Sequence, residues 1–407
     1  MKTLSQKTER LHSLDSLRAI MMLLGIVLHG ANTYGVLKTF GSAWPIQDPN
    51  STHLSNDFIS IFIHSYRMPI FFLVSGFFGA LLFYERTPMK MLKNRVERIV
   101  LPFVVFLFLL WPFIYISFSY SGMVFAGIPD AMNLVLDSIF SDIKTLIPAM
   151  TFHLWFLYYL ALTTFASVLL ALVLKKLPGL TSAISKSFSW AIQQPVLRIL
   201  VFGSITAILY SIMGTSSVDT STSFIPDLNT FIFYFSFYAI GWILLKSKHL
   251  LDTFKRYDWI NTILGIILFL LYFFMGSTFG YEAKIVLKSI MVWLFIFGFT
   301  GLFIRYASQH SAKMRYLSDS SYWVYLVHLP ITAFIPGLIA EWPIPSTLKF
   351  LVVLISTTII CYVSYHYLVR GTFVGKFLNG RRYSGKLSDI KRAEELKLSN
   401  VNLVIEK

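Results

Sequence analysis

Arg18 and His29 are the two groups in the first apolar stretch whose presence most needs a chemical reason. They stand eleven residues apart in Ser-Leu-Asp-Ser-Leu-Arg-Ala-Ile-Met-Met-Leu-Leu-Gly-Ile-Val-Leu-His. At about 100° per residue, eleven steps return to within about 20° of the same direction, so both side chains lie on one stripe of an α-helix. Along the axis they are about 16 Å apart, too far to touch. A guanidinium holds anions, whereas an imidazole moves protons or attacks as a nucleophile. Inside an apolar segment either group is costly and needs a partner or a job.

A second cluster follows in Ile-His-Ser-Tyr-Arg-Met-Pro-Ile-Phe-Phe-Leu-Val-Ser-Gly, with His64, Arg67 and Ser75 on a broad common face of one expected helix. Pro69 is expected to loosen that helix and free backbone carbonyls. Arg67 falls about 15 Å inside its segment, so it can share a depth with His29 on a neighbouring antiparallel helix. Arg67 and His64 also fit a plain role in tying helices together. Ser75 resembles a nucleophile only superficially. Arg95 and Arg98 then stand three residues apart on one helical face with Lys93 nearby, a pattern that suits phosphates or, equally simply, lipid headgroups. His153 opens a later segment beside Trp155, a candidate for an interfacial aromatic belt. His328 lies about 12 Å into another segment. Each of these histidines fits a structural role as well as a chemical one, and the remaining five (His12, His53, His249, His310, His366) carry no assignment. No spacing suits a metal site, no glycine-rich phosphate loop occurs, and no Gly-x-Ser-x-Gly elbow is present.

The elements that must position these groups are membrane helices. The chain is 56% hydrophobic and 14% charged, with a mean hydropathy of +0.65, whereas a soluble domain carries roughly 25% charged residues. Apolar segments fall at approximately 16–36, 57–82, 99–120, 152–174, 198–217, 228–246, 259–276, 283–305, 320–340 and 347–369. This predicts an all-α, polytopic protein of about ten transmembrane helices with both termini on one side, comprising a membrane domain over 1–370 and a polar tail over 371–407. The first segment lacks a cleavage site and is expected to be a retained helix. Lysine and arginine gather in alternate loops and in the tail, while Asp48, Asp130, Asp142, Asp219 and Asp227 fall in the others. By the positive-inside rule the termini are cytoplasmic, and the net charge of +15 needs no nucleic-acid partner. The one cysteine, Cys361, can form no internal disulfide, and no internal repeat is found. The sequence leaves the oligomeric state open.

Five ordered motifs carry a resemblance: Asp15-x-x-Arg18-x10-His29; Arg67-Met-Pro-x-Phe-Phe-x-x-Ser75-Gly-Phe; Arg95-x-x-Arg98-x-x-x-Pro102; His153-x-Trp155-Phe-Leu; and Ser-x-x-x-Tyr325-Leu-Val-His328-x-Pro330. Together they resemble the bacterial acyltransferase family 3 membrane proteins, on the side of the glucan biosynthesis protein C branch, which succinylates periplasmic glucans. The resemblance implies a multi-pass protein of the bacterial inner membrane. It would take an acyl group from cytoplasmic acyl-CoA, either succinyl-CoA or acetyl-CoA, and deliver it to a hydroxyl of an external glycan. By motif match Arg18 and His29 are the essential pair, and Arg95 and Arg98, with Lys93, hold the CoA phosphates. Asp15 would hold Arg18, and Arg67 would orient His29 or stabilise an oxyanion. His153, Trp155, Tyr325, His328 and Ser75 would support the substrate or the structure. The alternative is a secondary transporter or flippase using an intramembrane His/Arg path, which repeat symmetry would favour.

Overall fold

The computed structural model describes residues 2–38, 41–218, 220–309, 311–380 and 382–384. Asp219 and the tail beyond residue 384 lie outside them, so expectations for those positions stay with the sequence. Fifteen α-helices follow one another, and no strand occurs among the described residues: α1 (Lys2–Asn32), α2 (Leu54–His64), α3 (Arg67–Glu85), α4 (Pro88–Arg95), α5 (Leu101–Phe125), α6 (Ala131–Ser141), α7 (Trp155–Leu174), α8 (Pro178–Gln193), α9 (Pro195–Met213), α10 (Leu228–Leu244), α11 (Asp258–Met275), α12 (Tyr281–Tyr306), α13 (Ala312–Leu338), α14 (Ser346–Ser364) and α15 (Phe373–Asn379). Among the described residues nine helical runs are long and apolar enough to cross a membrane, or ten if one bent pair is a single span. The protein is an all-α, multi-pass membrane protein.

The tenth span is the bent one. α10 has 17 residues, or about 25 Å at helical rise, short of a bilayer core of about 30 Å. The chain then bends by 107° into the 3-10 stretch Lys248–Arg256. Close packing against α3 holds this short helix. Gly76 of α3 faces the backbone of Tyr238, and Gly241 of α10 faces the backbone of Leu73. A Cβ at either position would collide with main chain, so the two glycines let the helices approach as small residues do in membrane bundles.

Three expectations are corrected at element ends. The first helix stops at Asn32 rather than Val36, because the Asp57 carboxylate accepts the N–H groups of Val36 (2.7 Å) and Leu37 (3.1 Å) and bends the chain out. His29 is thus in the last turn of α1, close to its end, and a returning loop covers it. The second segment is two helices. The break falls at Ser65–Tyr66, where Tyr66 leaves helical geometry (φ −134°, ψ −23°). Pro69 then sits in the first turn of α3, where a missing N–H is harmless, so it loosens no continuous ladder. Finally, Arg95 and Arg98 do not share a regular helix: a π-helical stretch, Val96–Val100, joins α4 to α5.

The beginning of the tail packs on the bundle. Asn379 Nδ2 donates to the Asp319 carbonyl (2.9 Å), and the Arg370 guanidinium donates to the Ser384 carbonyl (2.8 Å).

Candidate active site

α1, the end of α2, the start of α3, α13 and the entry to α7 enclose a cavity. His29, His64, Arg67 and His153 line it, with Asn32 and Trp155 beside them. Trp155 is buried rather than turned to lipid, packing on Tyr234 (5.4 Å between ring centroids), which removes it from any aromatic belt. The His328 ring lies 5.3 Å from that of His29 and 5.4 Å from that of His153, so three imidazoles stand in a row. Trp44, from the loop after α1, stacks on the outer face of His29 at 5.2 Å, and its indole N–H donates to Thr33 Oγ1 (3.1 Å).

The backbone decides which nitrogens carry hydrogen. His328 Nδ1 faces the carbonyl oxygens of Tyr325 (2.7 Å) and Val324 (3.1 Å), both of which only accept. Nδ1 therefore donates, and in the neutral ring Nε2 is left as a bare lone pair. That Nε2 is buried and meets no hydrogen-bond partner among the described residues. His153 is the mirror case. Its Nε2 donates to the Leu326 carbonyl (2.9 Å), leaving a buried, unpartnered Nδ1. His29 also keeps a buried Nδ1 without a partner. Buried polar atoms are normally paired, so three unpartnered ring nitrogens gathered on adjacent imidazoles make this cavity the candidate site.

Local strain helps to aim this set. Phe152 has φ +44°, a region that costs a bulky residue of order 1–3 kcal/mol. It turns the chain just before His153, while Thr151 pins the neighbouring loop through the Thr222 carbonyl (2.7 and 2.8 Å). Tyr325 closes the back by donating to the His153 carbonyl (2.6 Å). Arg67 is 8% exposed and donates from Nε to the Met21 carbonyl of α1 (2.9 Å). Its charge acts on His29, His64, His153 and His328 alike. Gly25 makes room for it: a Cβ there would lie 3.0 Å from Arg67 Nη2 and 3.3 Å from His328 Nε2. Ser75 is buried two turns further along α3 and does not line the cavity.

The other end of α1 carries cations. Arg18 pairs with Asp15 (2.6 Å), both about two-fifths exposed, and lies over the Phe78 ring at 5.4 Å. Arg95 lies within electrostatic reach of Tyr238 and Arg18, and its buried Nε finds no acceptor among the described residues. Arg98 is directed elsewhere. It donates to the carbonyls of Lys376 (2.9 Å) and Phe377 (2.5 Å) in the last turn of α15. Lys93 is exposed nearby. Arg95 thus stands within electrostatic reach of Arg18, whereas Arg98 is engaged by the carbonyls of α15.

Sequence reasoning missed Trp44, Gly25 and Phe152. Gly25 left a faint signal as one of two glycines, with Gly30, inside a helical stretch, whereas nothing in the sequence shows that the loop residue Trp44 folds back over His29.

An all-helical membrane bundle, with a buried imidazole cavity at one end of its first helix and the cations Arg18 and Arg95 towards the other, has the layout of a polytopic membrane enzyme. The family described as an acyltransferase domain matches residues 11–366. The chain belongs to that acyltransferase 3 family and is a membrane acyltransferase, so the transporter alternative gives way. It is 27% identical to "Glucans biosynthesis protein C" of Shigella dysenteriae serotype 1 (strain Sd197) over 391 residues, covering 93% of this chain and 95% of the relative. It is likewise 27% identical to the protein of that name from Escherichia coli (strain K12) over 389 residues, with the same coverage. No solved structure matches.

Proposed function

We propose that the protein moves a succinyl or acetyl group from cytoplasmic acyl-CoA to a hydroxyl of a periplasmic or cell-surface glycan, such as a glucan, across a bacterial inner membrane. The observation that carries this reading is the division of labour along α1. Exchangeable cations stand at the Arg18 end and bare imidazole nitrogens at the His29 end. The donor's phosphates suit Arg18 and Arg95, because a guanidinium binds two oxygens at once and Arg95 keeps an unpaired N–H. The relatives' printed names point to the glucan acceptor.

In this reading the thioester reaches along the α1 stripe to the cavity. His29 takes the proton of the acceptor hydroxyl as the oxygen attacks the thioester carbonyl. The tetrahedral oxyanion then collapses, breaking the carbon–sulfur bond, and the imidazolium returns its proton to the leaving thiolate. Arg67 is suited to stabilise the oxyanion, since its Nε is held by the Met21 carbonyl while its Nη2 lies beside Gly25, next to which His328 Nε2 also stands. His328 offers Nε2 as the acceptor next to His29, and Tyr325 and His153 fix its surroundings.

The test is transfer itself. Purified protein is incubated with succinyl-CoA or acetyl-CoA and an oligoglucan, and the glycan is weighed by mass spectrometry. The expected result is a gain of one succinyl or acetyl group with stoichiometric CoA release. An unmodified glycan with both donors, and with other surface glycans from the same cells, would overturn the reading.

A further inference from the structure

A second cavity, of about 700 Å³, lies between the ends of α3, α7 and α10 and the helix α8. Its size falls within the roughly 300–1,000 Å³ of small-molecule sites. Phe83 and Trp242 are buried in its wall, with Phe235 beside them, and Leu170 and Leu172 stand 42% exposed on its open side. Arg86, Lys175 and Lys246 are exposed at the polar side, where Thr87, Ser182 and Ser185 add hydroxyls. Among the described residues no acidic side chain lines the cavity, and neither do Arg18, Arg95 or any group of the imidazole cavity. Apolar depth with a rim of three cations is complementary to an amphiphile with a hydrocarbon chain and an anionic head. A soluble anion would leave the aromatic depth unfilled, and a neutral sugar would leave the cations unmatched.

We propose that this cavity binds an anionic membrane lipid, its chain against Phe83 and Trp242 and its phosphate at Arg86, Lys175 and Lys246. The occupant braces the donor end of the enzyme. Trp242 rests on Gly79 of α3 and on the Phe83 ring (5.3 Å), and the neighbouring Tyr238 is held by Thr164 (3.3 Å) beside Arg95.

Binding is read by native mass spectrometry and by the melting temperature of the full-length protein in detergent, titrated with phosphatidylglycerol or phosphatidylcholine. Wild type is expected to retain phosphatidylglycerol and gain melting temperature, with phosphatidylcholine far weaker. The variant Arg86→Gln/Lys175→Gln/Lys246→Gln changes only exposed groups and should fold. It is expected to lose affinity by about a hundredfold, at roughly fivefold per charge near the membrane surface. Ala171→Trp, which fills the cavity, should abolish retention. Inorganic phosphate and acetyl-CoA should fail to displace the lipid. Equal retention by wild type and the triple variant would overturn the proposal. So would displacement by phosphate, which would make the site a soluble-anion site, or by acetyl-CoA, which would make it part of the donor site. None of these readouts depends on acyl transfer, so failure here is separable from failure of the proposed reaction.

Discussion

Arg95 and Arg98 read alike in the sequence but occupy different surroundings, and their substitution should separate them. Arg95 has a buried donor without an acceptor beside Arg18, whereas Arg98 caps the last turn of α15. Arg95→Gln is therefore expected to raise the KM for acyl-CoA about tenfold or more, since charge-assisted phosphate contacts are worth about 1.5–3 kcal/mol each. Arg98→Gln should leave that KM within a factor of about two and instead speed amide exchange through Phe373–Asn379, because it frees helix-terminal carbonyls. Steady-state kinetics and hydrogen exchange on both variants decide the matter. The reverse pattern would return the phosphate role to Arg98. The motif named both arginines, but nothing in it showed the π-helical stretch between α4 and α5 or the tail carbonyls that occupy Arg98.

At the scale of elements, the site depends on how closely α1, α3 and α13 approach. Gly25 is the contact point, and a side chain there must push on both Arg67 and His328. Gly25→Val is expected to lower kcat between about tenfold and a hundredfold, since misplacing a catalytic group by about 1 Å costs on that order. The donor KM should change little, because Arg18 lies seven residues away on the same helix, about 10 Å along the axis. An unchanged kcat would mean that Arg67 and His328 need not stand where they do. Helix existence and approximate limits were legible because long apolar runs have few alternatives. The ends were not legible, because tertiary partners set them. Asp57 ends α1 from another helix, and the break at Ser65–Tyr66 falls just before the Arg-Met-Pro motif that contains Pro69. The gathering of His29, Arg67, His153 and His328 was only partly legible. Helical spacing relates residues within one helix, but only packing shows that α13 brings His328 against α1.

At the scale of the whole molecule, the proposed direction of transfer requires the Arg18 end to face the cytoplasm. The sole cysteine, Cys361, is fully buried, so single cysteines report with little background. A cysteine placed between 83 and 94 should be shielded from an impermeant thiol reagent in intact cells, and one between 125 and 145 should react. The opposite labelling would put Arg18 and Arg95 where no acyl-CoA exists. The most direct measurement is CoA release by the purified enzyme in a single turnover with acyl-CoA and acceptor, comparing wild type with His29→Ala at equal amounts of folded protein. The expected result is rapid release by wild type and a loss of about 10²–10⁴-fold in the variant, the usual cost of removing a general base. Release by His29→Ala at more than about a tenth of the wild-type rate would contradict the assignment of His29 as the centre of the reaction.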